Sequence, residues 1–292
     1  LSSAISIAHS VNSFLLIALL YSLTCRKDSK WLQLDGMIRS IVNGDDFGMN
    51  ENVNEAIREC FEKRLITNTT LMVNMPYASE AVDIAEKCGF AEAVGLHLNL
   101  TSGYPLTERI RREPRFCKKD GSFNAFFQQH TASRLSISHR ESRAVAEEIE
   151  AQIRKYFSYG LPERHLDSHH HVHTNRSVMK VLMPLMKKYG FRSVRLSRNL
   201  FLKMNVLKRA YKSSFNRGLK KNGFITTDYF GSYRDLSAMN GKLPEDSLIE
   251  IMVHPMYDDA GVLKDTKTPF EQVKELLDSL NAERQPYFPV SN

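Results

Sequence analysis

The stretch His165-Leu166-Asp167-Ser168-His169-His170-His171-Val172-His173 decides how the rest of the chain is read, because five of the ten histidines fall within it. In an extended strand, alternate side chains share a face. His165, Asp167, His169, His171 and His173 then line one face, and Leu166, Ser168, His170 and Val172 the other. Imidazoles beside a carboxylate make a divalent-metal site or a proton-transfer site. The bland alternative is a solvated, histidine-rich loop. Polar groups elsewhere in the chain favour the chemical reading.

Outward from that stretch, strands alternate with helices. Ser40–Asn43 reads as a short buried strand, followed by the loop Gly44-Asp45-Asp46-Phe47-Gly48. Asn50 is placed to cap a helix through about Arg64, with Val53, Ile57 and Phe61 on one face. A strand is expected at Thr69–Asn74, a helix at Ala78–Lys87 stopped by Gly89, and a strand at Ala93–Thr101. A long loop to about Ser138 is placed to cap a site. Helices follow at Arg140–Tyr159 and Asn175–Lys188, then strands at Ser193–Ser197, Phe224–Phe230 and Leu248–His254, and a last helix at Phe270–Leu280. Strand–helix alternation implies parallel pairing, and about seven strands favour a closed or nearly closed barrel.

Composition fits a globular protein: 292 residues, 42% hydrophobic and 25% charged. Four cysteines without a C-x-x-C pair support neither a zinc finger nor a disulfide framework, which points to a reducing compartment. The net charge is +7, yet the stretch from Arg198 to Lys221 alone carries +8. It reads as a solvated basic insertion. No nucleic-acid motif accompanies it, so nucleic acid is not an expected partner.

Residues 1–36 stand apart. Phe14–Leu23 is apolar but short for a membrane span, and no basic residue precedes it as in a signal peptide. If Met37 is the natural start, the protein is cytoplasmic; if residues 1–36 are genuine, it is anchored or exported. No membrane role is expected of the remainder.

Four polar clusters sit at or near strand C-terminal ends: Asp45-Asp46, His97, Asp167 to His173, and His254. This is the end at which barrel active sites are built. A carboxylate with two imidazoles leaves open positions on a divalent ion that activates water.

At these residues the chain resembles the YdjC-like carbohydrate deacetylase family, which includes bacterial chitooligosaccharide deacetylases. The likeness spans most of residues 37–257. It is carried by Val42-Asn43-Gly44-Asp45-Asp46-Phe47-Gly48, Gly95-Leu96-His97-Leu98-Asn99-Leu100-Thr101, Gly103-Tyr104-Pro105-Leu106, Asp120-Gly121-Ser122-Phe123, the histidine stretch itself and Glu250-Ile251-Met252-Val253-His254-Pro255. Gly44 stands where the family has Ala, and Met256 where Gly is common. The resemblance implies an α/β fold, a distorted TIM-like (β/α) barrel over residues 37–292 with a basic insertion at 198–223. It implies one divalent ion, Mg2+ or Zn2+, on Asp46, His97 and His169. It makes Asp45 the base, and His254 or His171 the acid. Asp167, His173, Asn99 and Arg195 are expected to contact substrate. The implied activity is hydrolysis of N-acetyl groups on amino sugars or short oligosaccharides, and a homodimer is admitted. Rival readings are hydrolysis of another amide or ester at the same site, and a sugar-binding protein that does not turn over.

Overall fold

The structure is a computed structural model that describes residues 38–129, 136–200, 204–239, 243–266, 268–280 and 282–287. The expectation for residues 1–36 lies outside the described residues.

A run of buried residues opens the fold. β1 (Arg39–Phe47) is buried at every position after the first, and β7 (Leu248–Val253) is buried throughout. Strands buried on both faces belong to parallel sheets covered by helices. Between them in sequence come β2 (Asn68–Leu71), β3 (Val94–Leu98), β4 (His165–Ser168), β5 (Ser193–Val194) and β6 (Tyr229–Ser232). The spatial order is β5-β4-β3-β2-β1-β7-β6, and all six pairings are parallel. The expected seven strands are present, curled into a half-barrel. The two edges meet outside regular strand pairing: Ser193 bridges Ile225, ahead of β6, and the Asn199 and Leu200 N–H groups donate to the Phe230 carbonyl of β6.

Helices cover the outside. α1 (Glu51–Glu62) starts where Asn50 accepts from the Val53 N–H, as its sequence position predicts. α2 spans Ala78–Lys87, as expected. The long loop carries two short helices, α3 (Glu108–Arg111) and α4 (Phe126–Gln129). It leans on α5 (His139–Ser158), which Ser138 and Glu141 cap reciprocally. Buried Glu148 of α5 accepts from the backbone N–H groups of Leu106 and Thr107. α6 (Arg176–Lys188) follows the histidine stretch, and α7 (Val206–Lys221) forms most of the basic insertion. α8 (Tyr233–Ala238) leads towards β7.

Past β7 a small antiparallel sheet forms from β8 (Pro255–Tyr257), β9 (Leu263–Asp265) and β10 (Thr268–Pro269). It fixes the end of β7: the His254 N–H donates to Asp265 Oδ1 and the Thr266 N–H to the His254 carbonyl. After α9 (Phe270–Ser279), β11 (Glu283–Arg284) pairs with the start of β1. The Tyr287 N–H donates to Asn68 Oδ1 at 3.0 Å, lacing this last segment to β2.

Several boundaries differ from expectation. The histidine stretch is a strand only to Ser168, after which His169–Thr174 turns as a short 3-10 segment. His170 and His171 take left-handed φ values of 51° and 54°, a local choice that period-two alternation cannot register. The strand expected at Phe224–Phe230 begins only at Tyr229.

Gly95 shows how closely the strands are drawn together at the centre of the sheet. A Cβ there would lie 3.1 Å from the His165 carbonyl oxygen and 3.1 Å from Thr70 Cγ2. Gly95→Ala is therefore expected to lower stability by about 1–3 kcal/mol, the usual cost of overpacking. Urea unfolding measures it; an unchanged midpoint means that β2 and β4 have slack the structure does not show.

Candidate active site

The tips of β1, β3 and β4 bring the chemistry together. The register of β1 with β2 slips between Gly44 and Phe47, and Asp46 adopts a left-handed φ of 72°. Such a residue breaks side-chain alternation, so neighbouring carboxylates can serve one cavity. Asp46 Oδ1 lies 2.7 Å from His169 Nδ1 and 3.1 Å from His97 Nε2. One ligand atom from each of Asp46, His97 and His169 falls within 4.8 Å of the others. The three residues expected to hold a metal are thus brought together.

His97 is fixed from behind. It stands opposite Asp167 in the β3–β4 register, and its Nδ1 is 2.6 Å from Asp167 Oδ1. The Thr70 hydroxyl donates to Asp167 Oδ2 at 3.0 Å. A carboxylate behind a histidine fixes its ring and turns the other nitrogen outward, the support that metal-binding histidines normally have.

Beneath this layer lies Arg195, with no exposed surface. Its Nη1 and Nη2 donate to the two oxygens of Asp45, each at 2.7 Å. Nη1 also lies 2.7 Å from Asp167 Oδ2, and Nε donates to Glu250 Oε1 at 2.6 Å. The Tyr287 hydroxyl donates to the same Glu250 oxygen at 2.6 Å, and the Phe230 ring lies 4.8 Å from the guanidinium carbon. Carboxylates from β1, β4 and β7 therefore share one cation.

These contacts set the protonation states. Burial would raise Asp45, but the Arg195 charge and hydrogen bonds outweigh it and hold the carboxyl far below the usual range. Burial would likewise raise Asp46, yet hydrogen bonds from His169 and His97 hold it well down. His97 moves the other way: despite burial, Asp167 and Asp46 lift it to about 10. His254 is also lifted against its burial, by Asp265, Asp45 and Asp46, to about 9. Burial and then the Arg195 charge push His171 well below its usual value; its ring packs edge-on against Phe230. Of the two expected acids, only His254 carries a proton at neutral pH.

The four residues expected to touch substrate do not reach the surface: Asp167, His173, Asn99 and Arg195 each have 0% exposure. Asp167 and Arg195 are engaged as described. His173 Nδ1 lies 2.5 Å from Ser168 Oγ, and its Nε2 3.1 Å from the Arg195 carbonyl. The Asn99 amide donates to Asn74 and to the Ser102 carbonyl. All four are spent on holding the site in shape. Three members of the network escaped the sequence reading. Thr70 and Tyr287 gave no signal. Glu250 did: a carboxylate inside an otherwise apolar strand requires a buried cation.

A family model described as YdjC-like protein matches residues 39–285. A carbohydrate deacetylase of Thermoanaerobacter pseudethanolicus is 33% identical, the match covering 75% of this chain and 81% of that one. Another, of Halalkalibacterium halodurans, is 32% identical over 76% of this chain and 86% of its own. The crystal structure of a proposed cellobiose-phosphate cleavage protein from Enterococcus faecalis is 24% identical and superposes with a TM-score of 0.66, covering 86% of this chain and 98% of that one. That last likeness speaks for the fold.

Removing Arg195 strands three buried carboxylates. Arg195→Met is expected to cost about 3–5 kcal/mol, as for one-sided loss of a buried ion pair, and Arg195→Lys less, because the charge survives. Chemical denaturation of both variants checks this; a near-neutral Arg195→Met contradicts the charge balance described.

Proposed function

From the chain's membership of the YdjC-like family, we propose that it is a divalent-metal-dependent hydrolase that removes N-acetyl groups from amino sugars or short oligosaccharides. The observation that carries this reading is the convergence of Asp46, His97 and His169 beside the buried anion of Asp45. The substrate class follows from relatives that are carbohydrate deacetylases.

The residues fit a cation. Asp45, Asp46, Asp167 and Glu250 are all buried, and among the described residues Arg195 is the one permanent positive charge that binds among them. His97 meets part of the deficit as an imidazolium between two carboxylates. A divalent ion at Asp46, His97 Nε2 and His169 would replace the Nε2 proton, leave His97 a neutral ligand on its Asp167-held ring, and itself meet the deficit. One oxygen and two nitrogen donors suit Zn2+, with Mg2+ as the harder alternative. When bound, such an ion supplies the positive charge that lowers the pKa of water and polarises an acetyl carbonyl.

The chain's own groups supply the rest. Arg195 keeps Asp45 ionised and aimed, at the expense of its basicity. Asp45 takes the proton from the attacking water and needs no protonation change of its own to be ready. His254, at the tip of β7 next to β1, gives its proton to the departing amine. The register pairing Gly44 with Val253 sets His254 beside Asp45. His171 lacks a proton to give.

Acetate release from N-acetylated chitooligosaccharides, with metal content measured alongside, tests the assignment. His169→Ala should lose at least about a hundredfold in turnover together with the bound ion, while retaining its circular dichroism. Undiminished turnover in that variant overturns the ligand set.

The acid role has its own signature. Protonated His254 is the active form, so kcat should fall as pH rises through about 9. His254→Gln should be slower and lack this alkaline limb; a variant that keeps the limb excludes His254 as its source.

A further inference from the structure

A groove of about 1000 Å³ runs along α6 and α7 beside the start of α5. None of its lining residues belongs to the carboxylate–imidazole cluster. Met179, Met183 and Phe215 supply apolar surface. Arg176, Lys180 and His139 supply donors, and no Asp or Glu is among the described residues that line the groove. These three basic side chains form no ion pair among the described residues. A mostly apolar channel with uncompensated positive charge is complementary to an anion with an apolar body.

Ser177, the second residue of α6, sharpens this. It is 5% exposed and lines the groove, yet its Oγ has no hydrogen-bond partner among the described residues. A buried hydroxyl without a partner is costly, and native proteins rarely leave one so. The helix start beside it is also uncapped. Asn175 makes no side-chain cap, because its amide is turned to the Phe127 carbonyl at 3.2 Å. The first N–H groups of a thirteen-residue helix, with the dipole behind them, thus lack the usual side-chain acceptor. Arg176, Ser177 and Lys180 all line the groove beside this helix start, and guanidinium, ammonium, hydroxyl and free N–H groups are the donors that oxyanion sites use.

We infer that this groove binds an amphipathic anion, its phosphate or carboxylate head at Arg176, Ser177 and Lys180 and its apolar body along Met179, Met183 and Phe215. The ligand lies outside the proposed reaction and does not depend on it. The far wall is tied to the histidine turn: the Tyr211 hydroxyl donates to the Thr174 carbonyl at 2.8 Å.

Calorimetric titration of the full chain with octyl phosphate and octanoate, below their micelle concentrations, tests the inference. Octyl glucoside serves as the neutral comparison and inorganic phosphate as the head group alone. Both anionic amphiphiles should saturate one site and bind at least about tenfold more tightly than either comparison. Arg176→Ala should weaken them at least about tenfold. Ser177→Ala should also weaken them, yet leave the melting temperature of the ligand-free protein unchanged or higher, because it removes an unsatisfied hydroxyl. Equal binding of octyl glucoside reduces the groove to a greasy surface and overturns the proposal. So does inorganic phosphate binding as tightly as octyl phosphate, indifference to Arg176→Ala, or no binding at all. A lowered melting temperature for Ser177→Ala would mean that the hydroxyl has a structural partner, and would remove it from the site.

Discussion

One buried guanidinium holds the interior of this barrel in register. Arg195 has no exposed surface and meets Asp45, Asp167 and Glu250, from strands that are not all neighbours in the sheet. Withdrawing such charges from water costs several kcal/mol per ion unless geometry and hydrogen bonds offset it. Here every arm of the fork is used, Thr70 and Tyr287 donate to two of the carboxylates, and Asn43 donates to the third. An apolar core of equal volume would be the simpler way to fill the space. What the charged core provides instead is a permanently ionised Asp45, aimed by its strand and held still, beneath a further carboxylate, Asp46, that no fixed cation neutralises.

The same site departs most from regular backbone. Asp46, His170 and His171 all occupy the left-handed region, which costs non-glycine residues on the order of 1 kcal/mol or more each. Each departure has a visible consequence. At Asp46 it lets adjacent carboxylates face one cavity. At His170 and His171 it ends β4 and leaves His169 beside Asp46 rather than carrying it further along the strand. Regular strands deliver His97 and Asp167 as a matched pair, and the strained residues complete the set around them.

How much of this was legible in the sequence follows from the physics of each element. α1 was readable from its apolar period and its Asn50 cap, and α2 from the glycine that stops it. The strand-end positions of Asp46 and His97 were legible in the residues, whereas the choice of Asp46, His97 and His169 as a ligand set came from the family resemblance. The inward fate of His173 and the turn after Ser168 were not legible, since two left-handed histidines leave no mark on a pattern of apolar and polar residues. Arg195 was expected to contact substrate; arginine is rarely fully buried, yet Glu250 within β7 already implied a buried cation. Tyr287 acts on Glu250 from beyond the motifs, where a tyrosine has nothing in its sequence surroundings to distinguish it.

The chemistry proposed here rests on a single ion shared by the tips of three strands. Anomalous diffraction from crystals grown with Mn2+ or Zn2+ measures its position directly. One strong peak is expected about 2.0–2.2 Å from Asp46, His97 Nε2 and His169, with Asp45 still clasped by Arg195 behind it. A structure at full metal occupancy whose peak lies elsewhere, or whose ion is held without His97 and His169, would contradict it.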